Sequence, residues 1–305
     1  MNSSPQVPLD SQSVAPAPMS KTRPMVWSVR RELWENRSIY IAPLVVAAVV
    51  LFGFLISTIH LQDKMRAALA LDPMKQHELI ERPYNFAALL LMGTTFVVAV
   101  FYCLDALHGE RRDRSILFWK SLPVSDLITV LSKASIPLLV LPLLTFAITV
   151  VTQLIMLLLS TVVLLGSGLS VSTLWSHVSL FQMSLALLYH LLVVHGLWYA
   201  PIFGWLLLVS AWARRTVFLW AALPPLAIGV VEKIVFNTSH FAAMLGTLIG
   251  GGGGEAGAAS KGNSMSMGAL VMGHPLSAPS FWVGLAFAAA FLAAAVRLRR
   301  NREPI

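Results

Sequence analysis

Apolar residues in this chain come in long unbroken runs, with the charged residues gathered between them. From Ser38 to Ile59 there are 22 residues without Asp, Glu, Lys or Arg, thirteen of them Ile, Leu, Val or Phe. At about 0.3–0.6 kcal/mol each, these thirteen favour insertion into a bilayer by about 4–8 kcal/mol, enough for a transmembrane helix. A second run, Tyr84 to Leu104, has 21 such residues and stops at Asp105. Between Ala134 and Ala213 lie 80 residues with no acidic or basic side chain, several times the ~20 that one helix needs to cross. Two helices share them, with the break at Gly166-Ser167-Gly168, where turn formers cluster. Pro137, Pro142 and Pro201 bend these two spans. A fifth run is interrupted by Pro224-Pro225, and a sixth closes before Arg297. The pattern predicts an all-α membrane protein with six transmembrane helices near 38–60, 84–104, 137–165, 178–209, 216–233 and 279–296. Residues 234–278 form an irregular outer segment: an apolar part to Ile249, read as a partly inserted or interfacial helix pair, then a glycine run and a flexible polar stretch.

Composition agrees, with 57% hydrophobic and 12% charged residues and a mean hydropathy of +0.74. A soluble domain carries about twice that charge, so an ordinary soluble enzyme is excluded, as is disorder over most of the length. The single Cys103 rules out an internal disulfide and a four-cysteine zinc site. Residues 1–24 read as a flexible tail and not as a signal peptide, because the first apolar run begins only after Arg37. Lys and Arg set the orientation. With six spans, sixteen fall on the side of the two termini and six on the other, while acidic residues divide eight to six. The whole net charge of +8 therefore lies on one face, and both termini are expected in the cytoplasm. Topology thus explains the basic balance, and no nucleic-acid partner is implied.

Two charged segments stand out. Residues 25–37 predict an amphipathic interfacial helix with Val26, Val29, Arg30 and Leu33 on one face and Trp27 and Trp34 close by. Such a helix lies among lipid headgroups, with its indoles at the interface and Arg30 and Arg31 over acidic lipid. The loop 105–133 begins with Asp105, His108, Glu110, Arg111, Arg112, Asp113 and Arg114, then turns apolar with Ile116, Leu117, Phe118 and Trp119 before Pro123-Val124-Ser125. Four consecutive large apolar residues on a cytoplasmic loop suit a protein partner, since aromatic residues with arginine are the usual anchors of interfaces.

At these residues the chain resembles the permease subunits of ABC-2 type transporters. Members carry, after their second span, a Glu with basic residues, a run of large apolar residues and Pro-Val-Ser. Here Glu110-Arg111-Arg112-Asp113, Ile116-Leu117 and Leu122-Pro123-Val124-Ser125 match, followed by Lys133, while Arg114-Ser115 stands where Gly-Thr is common. The prefix Arg31-Glu32-Leu33-Trp34-Glu35 is also similar to the family. The resemblance implies the bundle of that family in a bacterial inner membrane. It further implies pairing with a second permease chain, identical or not, and docking of two ATPase subunits on a short coupling helix. The docking residues would be Glu110, Arg111, Arg112, Arg114, Leu117, Phe118, Trp119 and Pro123. ATP and Mg would be bound by the partner, because no Gly-Lys pair occurs in this chain and the phosphate-cradling loop is missing. The expected function is export of a hydrophobic or amphipathic substrate. This chain would be the non-catalytic subunit, with no cofactor of its own.

Histidines offer the alternative. His77-Glu78-Leu79-Ile80-Glu81 approaches the zinc-protease pattern, but Glu81 replaces its second histidine, and a solvated outer loop is the expected state. His190 and His195 lie in the fourth span, where ionisable residues are functional suspects for an intramembrane enzyme or a haem or metal site. The long third and fourth spans hold no carboxylate, Lys or Cys to act with them.

Overall fold

The computed structural model describes residues 23–69, 71–113, 115, 125–166, 172, 174–175, 178–249 and 279–301. Helices account for nearly all of them, with no strand among the described residues. Helix α1 (Arg23–Glu35) leads through Asn36 and Arg37 into α2 (Ser38–Ser57), which a 3-10 turn extends to His60 before α3 (Leu61–Leu69). The long α4 (Pro73–Ala106) ends in the short α5 (His108–Arg112). Helix α6 (Asp126–Ser135) starts where the Ser125 hydroxyl accepts from the Ile128 amide at 3.3 Å, an N-cap. It passes through a π-helical turn, Ile136–Val140, into α7 (Leu141–Gly166). The fourth span comprises α8 (Leu180–Tyr189), a π-helical stretch (His190–Trp198) and α9 (Ala200–Trp212). Then come α10 (Val217–Phe236), α11 (His240–Ile249) and α12 (Pro279–Asn301). Among the described residues, six stretches are long and apolar enough to cross a membrane, in the places the apolar runs predicted.

Boundaries differ most at the starts of the second and third spans. Lys75 to Arg82, expected in an outer loop, belongs to α4, with Pro73 at the helix start where its missing donor does no harm. Packing explains the extension: Ile80 and Tyr84 bury against Phe54 of α2 and Met65 of α3, which holds the helix together beyond the apolar run. His77, exposed, and Glu81, partly buried, face each other one turn apart at 3.4 Å on this part of α4, on a helix and not in the predicted loop. The third span likewise begins at Asp126, eleven residues before Pro137.

Buried polar groups pair across α4 and α7, as a low-dielectric interior demands. Thr95 shares a hydrogen bond with Thr145, Tyr84 with Ser160 at 3.2 Å, and Gln153 donates to the Tyr84 carbonyl at 3.3 Å. The two π-helical stretches meet at Gly196. A Cβ placed there would lie 2.7 Å from the Leu138 carbonyl oxygen, so only glycine lets the third and fourth spans approach this closely. Gly196→Ala is therefore expected to lower stability by about 1–3 kcal/mol. A fall in melting temperature in detergent would show this, and an unchanged melting temperature would refute the close approach.

Helices α9 and α12 run parallel, in contact at Gly204 and Ala288 and again at Ala211 and Ala295. Between α10 and α11 the chain reverses at Asn237, whose φ of 52° is left-handed. The Glu232 carboxylate caps α11, accepting from the His240 and Phe241 amides at 2.7 and 2.8 Å and from the Thr238 hydroxyl at 2.9 Å. Ten residues carry α11 back by about 15 Å, half the hydrocarbon thickness. Its last carbonyls, Leu248 and Ile249, accept from Trp198 Nε1 at 3.0 Å and the Tyr199 hydroxyl at 2.9 Å. Trp198 also stacks on Phe281 of α12, with ring centroids 6.2 Å apart. The apolar segment to Ile249 is thus a helical hairpin with α10 and returns into the bundle. The glycine run and polar stretch that follow it lie outside the described residues.

Candidate functional site: an ion-pair cluster at one end of the bundle

Six charged side chains meet where α1, α5, α6 and α12 converge. Glu110 is the centre. Its Oε1 accepts from Arg31 Nη2 at 2.8 Å and lies 3.2 Å from Lys133 Nζ, while its Oε2 accepts from Arg299 Nη1. Glu32 sits beside it, with Oε1 taking Lys133 Nζ at 2.8 Å and Arg31 Nη2 at 2.9 Å, and Oε2 taking the Tyr102 hydroxyl at 2.8 Å. Arg299 Nε closes the set on Asp126 at 3.1 Å. Three carboxylates thus face three cations, and Glu35 joins from the edge, 3.4 Å from Arg31 Nε. Glu32, Lys133 and Arg299 are 1%, 2% and 4% exposed, so the pairing is obligatory: one partner removed would strand a buried charge.

Local sequence explains each placement. Glu32 lies on the inward face of α1 with Val29 and Leu33, which pack against the bundle core. Lys133 lies on α6 just before the uncharged run and turns inward. Arg299 stands in the last turn of α12, where a cation also suits the helix dipole. At the edge of the cluster, burial works against the charge of Arg31, yet the Glu32, Glu35 and Glu110 carboxylates raise its pKa. Burial raises the Glu35 carboxyl above the usual range, with Arg31 opposing.

A second set of contacts fixes the same loop from below. Arg111 is 4% exposed, and its Nη1 donates to the Ala211 and Ala213 carbonyls at 2.7 and 3.2 Å, satisfying the open end of α9. The Ser210 hydroxyl accepts from the Leu107 and His108 amides at 3.1 and 2.9 Å and donates to the Leu104 carbonyl at 2.8 Å. The junction of α4 and α5 is thereby tied to α9. Gly109 fits tightly there, since a Cβ would lie 3.2 Å from Asp105 Oδ2.

The expected site residues fall in different settings. Glu110 and Arg111, expected on a docking surface, are buried and committed within the chain, because their hydrogen-bond partners lie on other helices. They tie α5 to α1 and α9. Arg112 is exposed and pairs with Asp113 at 3.0 Å and Asp105 at 3.8 Å. Arg114, Leu117, Phe118, Trp119 and Pro123 lie outside the described residues. On α1 the expected face divides. Trp27, Arg30 and Trp34 are exposed, whereas Arg31, placed over lipid by the sequence, turns inward to Glu32 and Glu110 because those buried carboxylates need a cation.

Glu32, Tyr102, Asp126, Lys133 and Arg299 were not among the expected site residues. The available signal was position: single charges bordering long apolar runs must find partners or leave the hydrocarbon. His195 is buried among Phe96, Tyr199 and Phe203. No group of three His, Cys, Asp or Glu placed to hold a metal occurs among the described residues. Comparison with protein-family models, curated proteins and solved structures finds no match to this chain.

Proposed function

We propose that this chain is the membrane-spanning subunit of an ABC-2 type transporter in a bacterial inner membrane. Both its termini face the cytoplasm, and it works as a dimer with two separate ATPase subunits. The observation that carries this reading is the anchoring of the loop after the second span. Glu110 links that loop to α1, α6 and α12, and Arg111 links it to α9. A loop held at its root by four helices suits the transfer of force, because displacement of its tip moves the helices together.

In this mechanism the apolar residues Leu117, Phe118 and Trp119 dock into the ATPase, with Arg112, Arg114 and Pro123 beside them. ATP and Mg, held by that partner, close the ATPase pair and press on the loop. The helices joined through Glu110 then tilt, alternating the cavity between two states of different ATP affinity. Long spans without carboxylate, Lys or Arg suit a hydrophobic or amphipathic cargo moved by external work better than an ion-coupled carrier, which places charges near the midplane. The reading frames beside the gene test this proposal. A neighbouring frame encoding a soluble ATPase with a phosphate-binding loop is the expected finding, and a gene with no such neighbour would count against it.

A further inference from the structure

Helix α1 has a second face, turned away from the ion-pair cluster, that the proposed function does not use. Trp27 and Trp34 are 63% and 66% exposed there, beside exposed Val26. Between the two indoles lies Arg30, its Cζ 5.7 Å from the Trp27 ring and 4.8 Å from the Trp34 ring. Positions 27, 30 and 34 fall three and four apart, so the three side chains share one stripe. Stacking on aromatic rings covers the faces of a guanidinium and leaves its edge N–H groups to grip a planar or tetrahedral oxyanion in fork geometry.

Position decides which oxyanion. Only Asn36 and Arg37 separate α1 from the apolar span of α2, so this stripe stands at headgroup depth, where Trp is favoured. Arg37 is exposed as well and adds to the attraction for anions. The nearest carboxylates do not neutralise the stripe: Glu32 is buried in the cluster, and Glu35 pairs with Arg31 at 3.4 Å.

We propose that Trp27, Arg30 and Trp34 form a binding site for the phosphate of an anionic phospholipid in the adjoining leaflet. A zwitterionic lipid carries the same phosphate together with its own cation, which competes with Arg30, so the site selects lipids of net negative charge. Because Glu32 occupies the opposite face of the same turn, lipid bound at Arg30 presses α1 onto the cluster. The inference rests only on α2 crossing a membrane and not on any ATPase.

The test uses the full chain purified alone in detergent. It is incubated with an equimolar mixture of phosphatidylglycerol and phosphatidylcholine, and the retained lipid is counted by native mass spectrometry. The wild-type chain is expected to favour phosphatidylglycerol by about fivefold. Arg30→Gln should abolish the preference. Arg30→Lys keeps the charge but not the stacked fork, and should lose more than half of it. Arg300→Gln, an exposed cation on α12 at the same end of the bundle, should behave as wild type. Unchanged melting temperatures would show that all variants fold, as exposed positions allow. The proposal is overturned if Arg30→Gln keeps the preference, or if Arg300→Gln loses as much. It is also overturned if glycerol 3-phosphate displaces the lipid, which would mark a free-anion site. Loss of a soluble protein partner in Arg30→Gln with lipid preference intact would mark a protein contact instead.

Discussion

Glu110→Gln is expected to destabilise the folded chain by about 3–5 kcal/mol, the range seen when one member of a buried ion-pair network is removed. The carboxylate accepts from Arg31 and Arg299 and faces Lys133. Its neutral amide would leave Lys133 with Glu32 alone, Arg299 with Asp126 alone, and Arg31 with Glu32 and the half-exposed Glu35. Lys133 and Arg299, both nearly inaccessible to water, have no solvent to turn to. The loss is read from chemical or thermal unfolding in detergent. Pairing the substitution with Arg299→Gln removes one charge of each sign, so the double variant should be more stable than the two single losses added together. A Glu110→Gln chain as stable as wild type would mean that the cluster is dispensable.

The second large effect concerns the apolar residues that follow Glu110 in the sequence. Replacing Phe118 and Trp119 with Ala should abolish co-purification with an ATPase subunit, or remove its stimulated hydrolysis, while membrane insertion stays normal. Aromatic anchors at an interface contribute about 2 kcal/mol or more each, and a loss of that size weakens binding about thirtyfold per residue. Insertion is unaffected because the six apolar runs that drive it are untouched. Stimulation of hydrolysis equal to that of wild type would show that docking lies elsewhere. Glu110→Gln and this pair therefore separate two effects: the first acts on the ion-pair cluster and the second on the proposed docking of an ATPase.

What the sequence revealed follows from the range of the forces involved. The six spans were legible because insertion sums over some twenty neighbouring residues, and no tertiary contact is needed to read it. The α10–α11 hairpin was partly legible, since an apolar segment with Asn237 and Ser239 marks a turn. Its cap was not, because Glu232 reaches residues in the following helix. The cluster was hidden for the same reason on a larger scale: Glu110 meets Arg31 and Arg299, 79 and 189 residues away. Read locally, Glu110 and Arg111 are charges on a loop, hence the expectation of a docking surface. The stripe on α1 shows a competition. Val26, Val29, Arg30 and Leu33 share a helical spacing, but burial of Glu32 rotates Val29 and Leu33 inward and leaves Val26 and Arg30 outside. The π-helical stretches had only Pro137, Pro142 and Gly196 as hints, and these equally fit a simple bend.

The most direct test of the account is to purify the full-length chain in mild detergent and measure ATP hydrolysis before and after soluble subunits are stripped away. The account predicts that an ATPase of another gene is retained, that hydrolysis leaves with it, and that adding it back restores the rate. A stripped chain that remains fully active on its own, with no such companion in the gentle preparation, would contradict it.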